Sequence, residues 1–151
     1  MNKIVITCDH RGDEFCTKIN EYLLKKGYYT TFIPSQGPKD DYVDNGKIAL
    51  DMIKKAKCDW GILVCGTGIG MAICANRVKG VFAVHAKDEA DAYFARRHEN
   101  SKVLVLGSGY SDGHHEIKMT ITKAKKIIDT FLTTDFEGER HIRRIEKVDK
   151  K

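Results

Sequence analysis

Trp60-Gly61-Ile62-Leu63-Val64-Cys65-Gly66-Thr67-Gly68-Ile69-Gly70-Met71 is the stretch whose reading decides the fold. The apolar run from Trp60 to Val64 has the length of a buried strand, and Ala72-Ile73-Cys74-Ala75-Asn76 continues beyond the glycines as the first turns of a helix. Gly66, Gly68 and Gly70 lie between the two. Glycines so spaced let the backbone turn tightly and converge several N–H groups on one point, which makes an anion site. A thiol, Cys65, and a hydroxyl, Thr67, stand at its rim. Unpaired N–H groups at a helix N-terminus favour a thiolate, so the stretch reads as a catalytic loop.

Other loops of this kind fit less well. A dinucleotide fingerprint requires G-x-G-x-x-G in the first strand-to-helix turn, whereas here G-x-G-x-G follows the third strand. A triphosphate-cradling loop requires Lys after its last glycine, and Met71 is there instead. Met71 also occupies the place of the arginine that closes a cysteine-phosphatase loop. A tight turn carrying a buried structural cysteine is the remaining alternative.

Outward from the loop, strand and helix patterns alternate. Ile4 to Cys8 is a β-branched run ending in Asp9-His10-Arg11-Gly12, followed by Phe15, Ile19, Tyr22 and Leu23 at helical spacing up to Gly27. Tyr28 to Ile33 reads as a second strand, Ser35 to Asp41 as a polar loop, and Ile48, Ala49, Met52, Ile53 and Ala56 as one face of a second helix. A fourth strand is expected over Val81 to Val84 with a helix behind it through Ala90, Tyr93, Phe94 and Arg97. A fifth strand spans Val103 to Leu106, ahead of Gly107-Ser108-Gly109, and Ile117, Ile121, Ala124, Ile128 and Phe131 predict the last long helix. The alternation predicts an α/β, single-domain, three-layer α/β/α fold of Rossmann-like kind with a five-stranded parallel sheet. In such sheets ligands bind at the carboxyl ends of the strands, so Asp9-His10, Cys65-Gly66-Thr67 and Gly107-Ser108-Gly109 are expected on one rim. After Gly138 a basic helical extension, residues 138–151, is expected to reach past the body of the domain to a neighbouring subunit, with Arg140 and Arg144 on one side of it.

The composition sets bounds on function. At 151 residues, 42% hydrophobic and 31% charged, the chain suits one globular domain with a sizeable core. The net charge of +5 is concentrated near the end, in Arg140, Arg143, Arg144, Lys147, Lys150 and Lys151, which suits a small phosphate. Few aromatics interleave with these bases, so no nucleic-acid partner is expected. The 5 cysteines form no C-x-x-C pair, which argues against a disulfide framework or zinc ribbon and for a reducing, cytoplasmic location. No stretch has the length and apolarity of a signal peptide or membrane span. His85, His114, His115 and His141 show no ligand spacing, so neither metal nor cofactor is expected.

Together these residues resemble the type B ribose-5-phosphate isomerases, grouped with galactose-6-phosphate isomerase subunits. The match comprises Cys8-Asp9-His10-x-Gly12, Asp41-Tyr42, Cys65-Gly66-Thr67-Gly68-Ile69-Gly70 with Ala75-Asn76, Arg97-His98, and Gly138-x-Arg140-His141-x-x-Arg144, in register over nearly the whole chain. The resemblance implies a metal-independent aldose–ketose isomerase working through a cis-enediolate. Cys65 would be the base between C1 and C2, with Thr67 and the loop Gly66, Gly68, Ile69 and Gly70 supporting the enediolate oxygen. His98 would open the sugar ring. His10, Arg140 and Arg144 would hold the phosphate, with Asp9 and Tyr42 also in the substrate site. It further implies a homodimer or tetramer with active sites between subunits.

Two departures from the family pattern bear on the substrate. Glu99 follows His98 where the family usually has Asn, and Gly109 stands where it usually has a phosphate-binding Arg. Both withdraw support for an anion, so a relative acting on a tetrose, a hexose phosphate or an unphosphorylated sugar is one alternative. A non-catalytic sugar-phosphate-binding subunit is another. Taken singly, His98 also fits a helix-end residue, His10 a helix cap, and Arg140 with Arg144 an ordinary charged helix face.

Overall fold

The computed structural model describes residues 2–150. Five strands, β1 (Lys3–Cys8), β2 (Tyr29–Ile33), β3 (Trp60–Cys65), β4 (Ala83–His85) and β5 (Val103–Gly107), form one parallel sheet in the order β2-β1-β3-β5-β4. The helices α1 (Asp13–Lys25), α2 (Tyr42–Lys54), α3 (Ile69–Asn76), α4 (Glu89–Glu99) and α5 (Ile121–Thr133) follow successive strands, and α6 (Arg140–Val148) ends the chain. The three-layer fold read from the alternation is the one observed.

Successive residues of the central strands serve opposite faces of the sheet. Ile4, Ile6, Ile62, Val64, Leu104 and Leu106 pack with residues of α1, α4 and α5, Phe131 among them. Val5, Leu63, Val103 and Val105 pack instead with Ala49, Leu50, Met71 and Ala75 of α2 and α3. Both faces of the central strands are thus buried, which is why they read as unbroken apolar runs. The chain leaves β1 toward one face and β3 toward the other, so a crevice opens between their carboxyl ends, where α/β sheets bind ligands. The register Cys8↔Val64 and Cys65↔Gly107 sets three strand ends at one level there.

Two expectations, on the last long helix and on the basic extension, are corrected. Ile117 lies four residues before Ile121 but belongs to no helix: Gly109–Ser111 (β6) and Glu116–Lys118 (β7) form an antiparallel hairpin, and α5 starts at Ile121 behind the cap Thr120, whose side chain accepts the Lys123 N–H. The second helix begins at Tyr42, because the Asp41 carboxylate accepts the N–H groups of Val43 and Asp44 and fixes the first turn there. The basic extension does not project from the domain. It lies against α4 with His141 buried, and the Asp149 carboxylate accepts the Gly80 N–H at 2.7 Å.

Candidate active site

Cys65 is the last residue of β3, buried, with its Sγ accepting the Gly68 N–H at 3.2 Å. That bond requires the turn Gly68 makes at φ +81°, a conformation L side chains rarely adopt. A Cβ there would meet the Gly107 nitrogen at 2.9 Å and collide with the His85 ring. The carbonyls of the loop are held from behind. Cys65 C=O accepts the Ser108 N–H and Gly66 C=O the Gly109 N–H, each at 3.0 Å, while Thr67 C=O packs against Gly107 and the His85 ring lies behind Gly68. Burial, with Lys87 nearby, lowers the His85 pKa from its ordinary value.

In front of the loop is a cleft of about 170 Å³ lined by Asp9, Arg11, Tyr42, Cys65, Gly66, Thr67, Gly70 and Tyr110. Asp9 and Arg11 follow β1, and Tyr42 opens α2. The Thr67 hydroxyl accepts the Ile69 N–H at 3.2 Å. Gly66 and Gly70 present backbone to the cleft, and a Cβ on Gly70 would meet the Tyr42 ring at 2.6 Å. Buried Asp9 accepts the Arg11 N–H at 3.0 Å. His10 is exposed beside it, 3.3 Å from the Asp40 carbonyl. Asp9, His10, Tyr42, Cys65, Thr67 and the loop glycines thus share the rim expected of them, and Gly107-Ser108-Gly109 back it.

His98, Glu99, Arg140 and Arg144 do not join that rim within one chain. α4 runs back from the carboxyl end of β4 to the amino end of β5, so His98 lies about 15 Å along the helix from the strand ends, at 1.5 Å per residue. There its ring stacks on His141, with centroids 4.3 Å apart and planes 10° apart. Glu137 faces His141 Nε2 at 3.6 Å and accepts from Arg97 Nε at 3.0 Å. Burial, then the neighbouring His98 and Arg140, lower the His141 pKa. Among the described residues, His98, Glu137 and His141 bring potential metal-ligand atoms within 4.8 Å of one another. The Arg97 ion pair and the charges of Arg140 and Arg144 oppose a cation there. Exposed Glu99 borders a second hollow with His98, His85 and Phe94. Asn100 caps α4 in a left-handed turn, its amide oxygen taken by Arg96.

A family model described as Ribose/Galactose Isomerase matches residues 4–148. The chain belongs to the ribose/galactose isomerase family. Its relatives include the probable ribose-5-phosphate isomerase B of Mycoplasma genitalium, 39% identical, with the match covering 96% of this chain and 92% of that protein. Ribose-5-phosphate isomerase B of Escherichia coli is 30% identical, with 98% and 95% covered. Among solved structures, a ribose 5-phosphate isomerase of Thermotoga maritima superposes with a TM-score of 0.89 at 38% identity, over 99% of each chain. The M. genitalium enzyme with bound ribulose-5-phosphate gives 0.87 at 38%, over 97% of this chain and 93% of that one. Family membership makes this chain an isomerase, and no helix among its described residues is long and apolar enough to cross a membrane.

Sequence reasoning missed three residues of this isomerase's rim. Arg11 stood inside the Asp9-to-Gly12 motif but carried no role. Tyr110 is delivered by the unforeseen hairpin, and no periodicity marks it. His85 showed no ligand spacing, and only the fold sets it against Gly68.

Proposed function

We propose that the chain interconverts ribose 5-phosphate and ribulose 5-phosphate through a cis-enediolate, as a homodimer whose sites each take residues from both subunits. The observation that carries the reading is the Cys65 sulfur at the floor of the cleft, held by the Gly68 N–H beside backbone of the glycine loop. His98 of the partner subunit moves a proton from the C1 hydroxyl to the ring oxygen, the C1–O bond breaks, and the aldehyde is freed. Cys65 as thiolate takes the C2 proton; the C–H electrons form the C1–C2 double bond, and charge gathers on the C1 oxygen. Thr67 and the loop N–H groups stabilise that charge, and one such donor is worth roughly 3 to 4 kcal/mol in comparable sites. Return of the proton from Cys65 to C1, with transfer of the C2 hydroxyl proton to the C1 oxygen, gives the ketose. His10 holds the phosphate together with the partner's Arg140 and the partner's Arg144, whose planar forks suit its oxygens.

Two chains are needed because Cys65 and His98 of one chain lie at opposite ends of the sheet. Exposed apolar side chains suit the contact: Ile69 and Ile73 on α3 are 52% and 62% exposed, and Tyr93 and Phe94 on α4 are 40% and 51% exposed. From its place on α4, α6 then serves the neighbour's site.

Glu99 favours a second reading. Its carboxylate is exposed beside His98 and enters no ion pair among the described residues, which suits a hydroxyl of another sugar better than a phosphate. A panel of aldoses and aldose phosphates tests both readings. Ribose 5-phosphate is expected to give the highest kcat/KM, and another sugar ranking tenfold above it would establish the altered specificity. Stabilisation of the fold by phosphate esters with no turnover anywhere in the panel would make the chain a binding subunit.

A further inference from the structure

The Cys65 cleft has one cation of its own. The Arg11 stem crosses the glycine loop, since a Cβ on Gly66 would meet Arg11 Cδ at 3.1 Å. Its guanidinium carbon lies 4.9 Å from the centre of the Tyr110 ring, a cation–π contact that fixes the head of the side chain. Its carbonyl accepts the Ser108 hydroxyl at 3.3 Å, tying the backbone to the end of β5. Arg11 is thus held at stem, head and backbone, yet its guanidinium enters no ion pair among the described residues. Of the two acids nearest in sequence, Asp9 accepts the Arg11 N–H and Asp13 accepts the Ser35 N–H and the Cys8 thiol. A pre-ordered guanidinium with free donors at the mouth of a cleft loses little freedom when an anion arrives, which raises affinity without any new contact.

Gly109 explains why a cation is needed here. It opens β6 at φ +130°, a conformation in which an arginine would be strained, so that strand end supplies no charge. The next residue, Tyr110, supplies a platform instead. We propose that Arg11, steadied by Tyr110, binds the anionic group of the substrate on the Cys65 side of the site, making this a site for phosphorylated rather than neutral sugars. The proposal rests on the isomerase reading above and deepens it: His10 and Arg11 grip the phosphate from one subunit while Arg140 and Arg144 approach from the other.

The test uses Arg11→Met, which keeps the stem over Gly66 and removes the charge, with Arg11→Lys and Tyr110→Leu alongside. Dissociation of inorganic phosphate is measured by titration calorimetry, and KM and kcat with ribose 5-phosphate. Arg11→Met is expected to raise both the phosphate Kd and KM at least about tenfold, equivalent to about 1.4 kcal/mol, with kcat within about threefold of wild type. Arg11→Lys should fall between, because a point charge replaces the fork, and Tyr110→Leu should raise KM severalfold by freeing the guanidinium. Kd and KM within about twofold of wild type in Arg11→Met overturn the proposal. Calorimetry needs no turnover, so a wild type that isomerises nothing would defeat the isomerase reading while the phosphate titration still decides Arg11.

Discussion

Gly68→Ala tests whether the glycine loop is held from behind as described. A side chain at φ +81° costs about 1 to 2 kcal/mol through its clash with the following carbonyl. The new methyl would also meet the Gly107 nitrogen at 2.9 Å and the His85 ring. Gly107 ends β5, a strand paired on both sides, and is in register with Cys65, so it cannot retreat. Overpacking of this kind adds about 1 to 3 kcal/mol, and the expected loss of stability is about 2 to 5 kcal/mol. Whatever shift relieves the clash turns the Gly68 N–H away from Cys65 Sγ, and kcat should fall about 10²- to 10³-fold, as when an oxyanion donor is lost. Adding His85→Ala removes only the side-chain collision and should restore less than half of the lost stability. Gly70→Ala is the contrast: its methyl meets only the movable end of the Tyr42 ring, and alanine is the better helix former, so stability should stay within about 1 kcal/mol of wild type. Urea unfolding and steady-state kinetics read both variants. Gly68→Ala within 0.5 kcal/mol of wild type in stability, on the order of experimental scatter, and within about threefold in kcat, would refute the reasoning.

Further predictions concern the assembly and its charges. Mixing Cys65→Ala with His98→Ala under conditions that exchange subunits should recover about a quarter of wild-type turnover, since half the dimers are mixed and each of those carries one intact site; no recovery would place both residues in one chain's site. The folded protein keeps His85 and His141 neutral where an unfolded histidine, with pKa about 6.5, begins to take a proton. The unfolded state then binds more protons, so stability is fully present above about pH 6.5 and is lost as the pH falls below it. Tm measured at pH 7.5 and 5.5 should show a drop that is smaller in His85→Gln, and an equal drop in both would remove His85 from the effect.

The alternation of apolar strand runs with 3.6-periodic faces made the sheet legible, because Ile4 to Cys8, Trp60 to Cys65 and Val103 to Leu106 are buried on both faces and admit little else. Cys65 and Thr67 were legible because glycine spacing constrains a backbone locally. Arg11, Tyr110 and His85 were not, because their roles depend on which loops the register brings together. Ile117 misled for the same reason: a spacing of four is shared by a helix face and by a hairpin residue that happens to precede a helix. The basic tail was legible in its charge, and His141 stood in the motif, but the docking on α4 was not legible, because nothing in the motif says which helix His141 stacks against.

Proton NMR of the reduced protein with ribose 5-phosphate in heavy water, with Cys65→Ala alongside, tests the central claim most directly. The account predicts loss of the C2 proton signal and formation of ribulose 5-phosphate with the wild type, and neither with the variant, while the variant still binds inorganic phosphate. Exchange at C2 that persists in Cys65→Ala would contradict the claim that this thiol moves the proton.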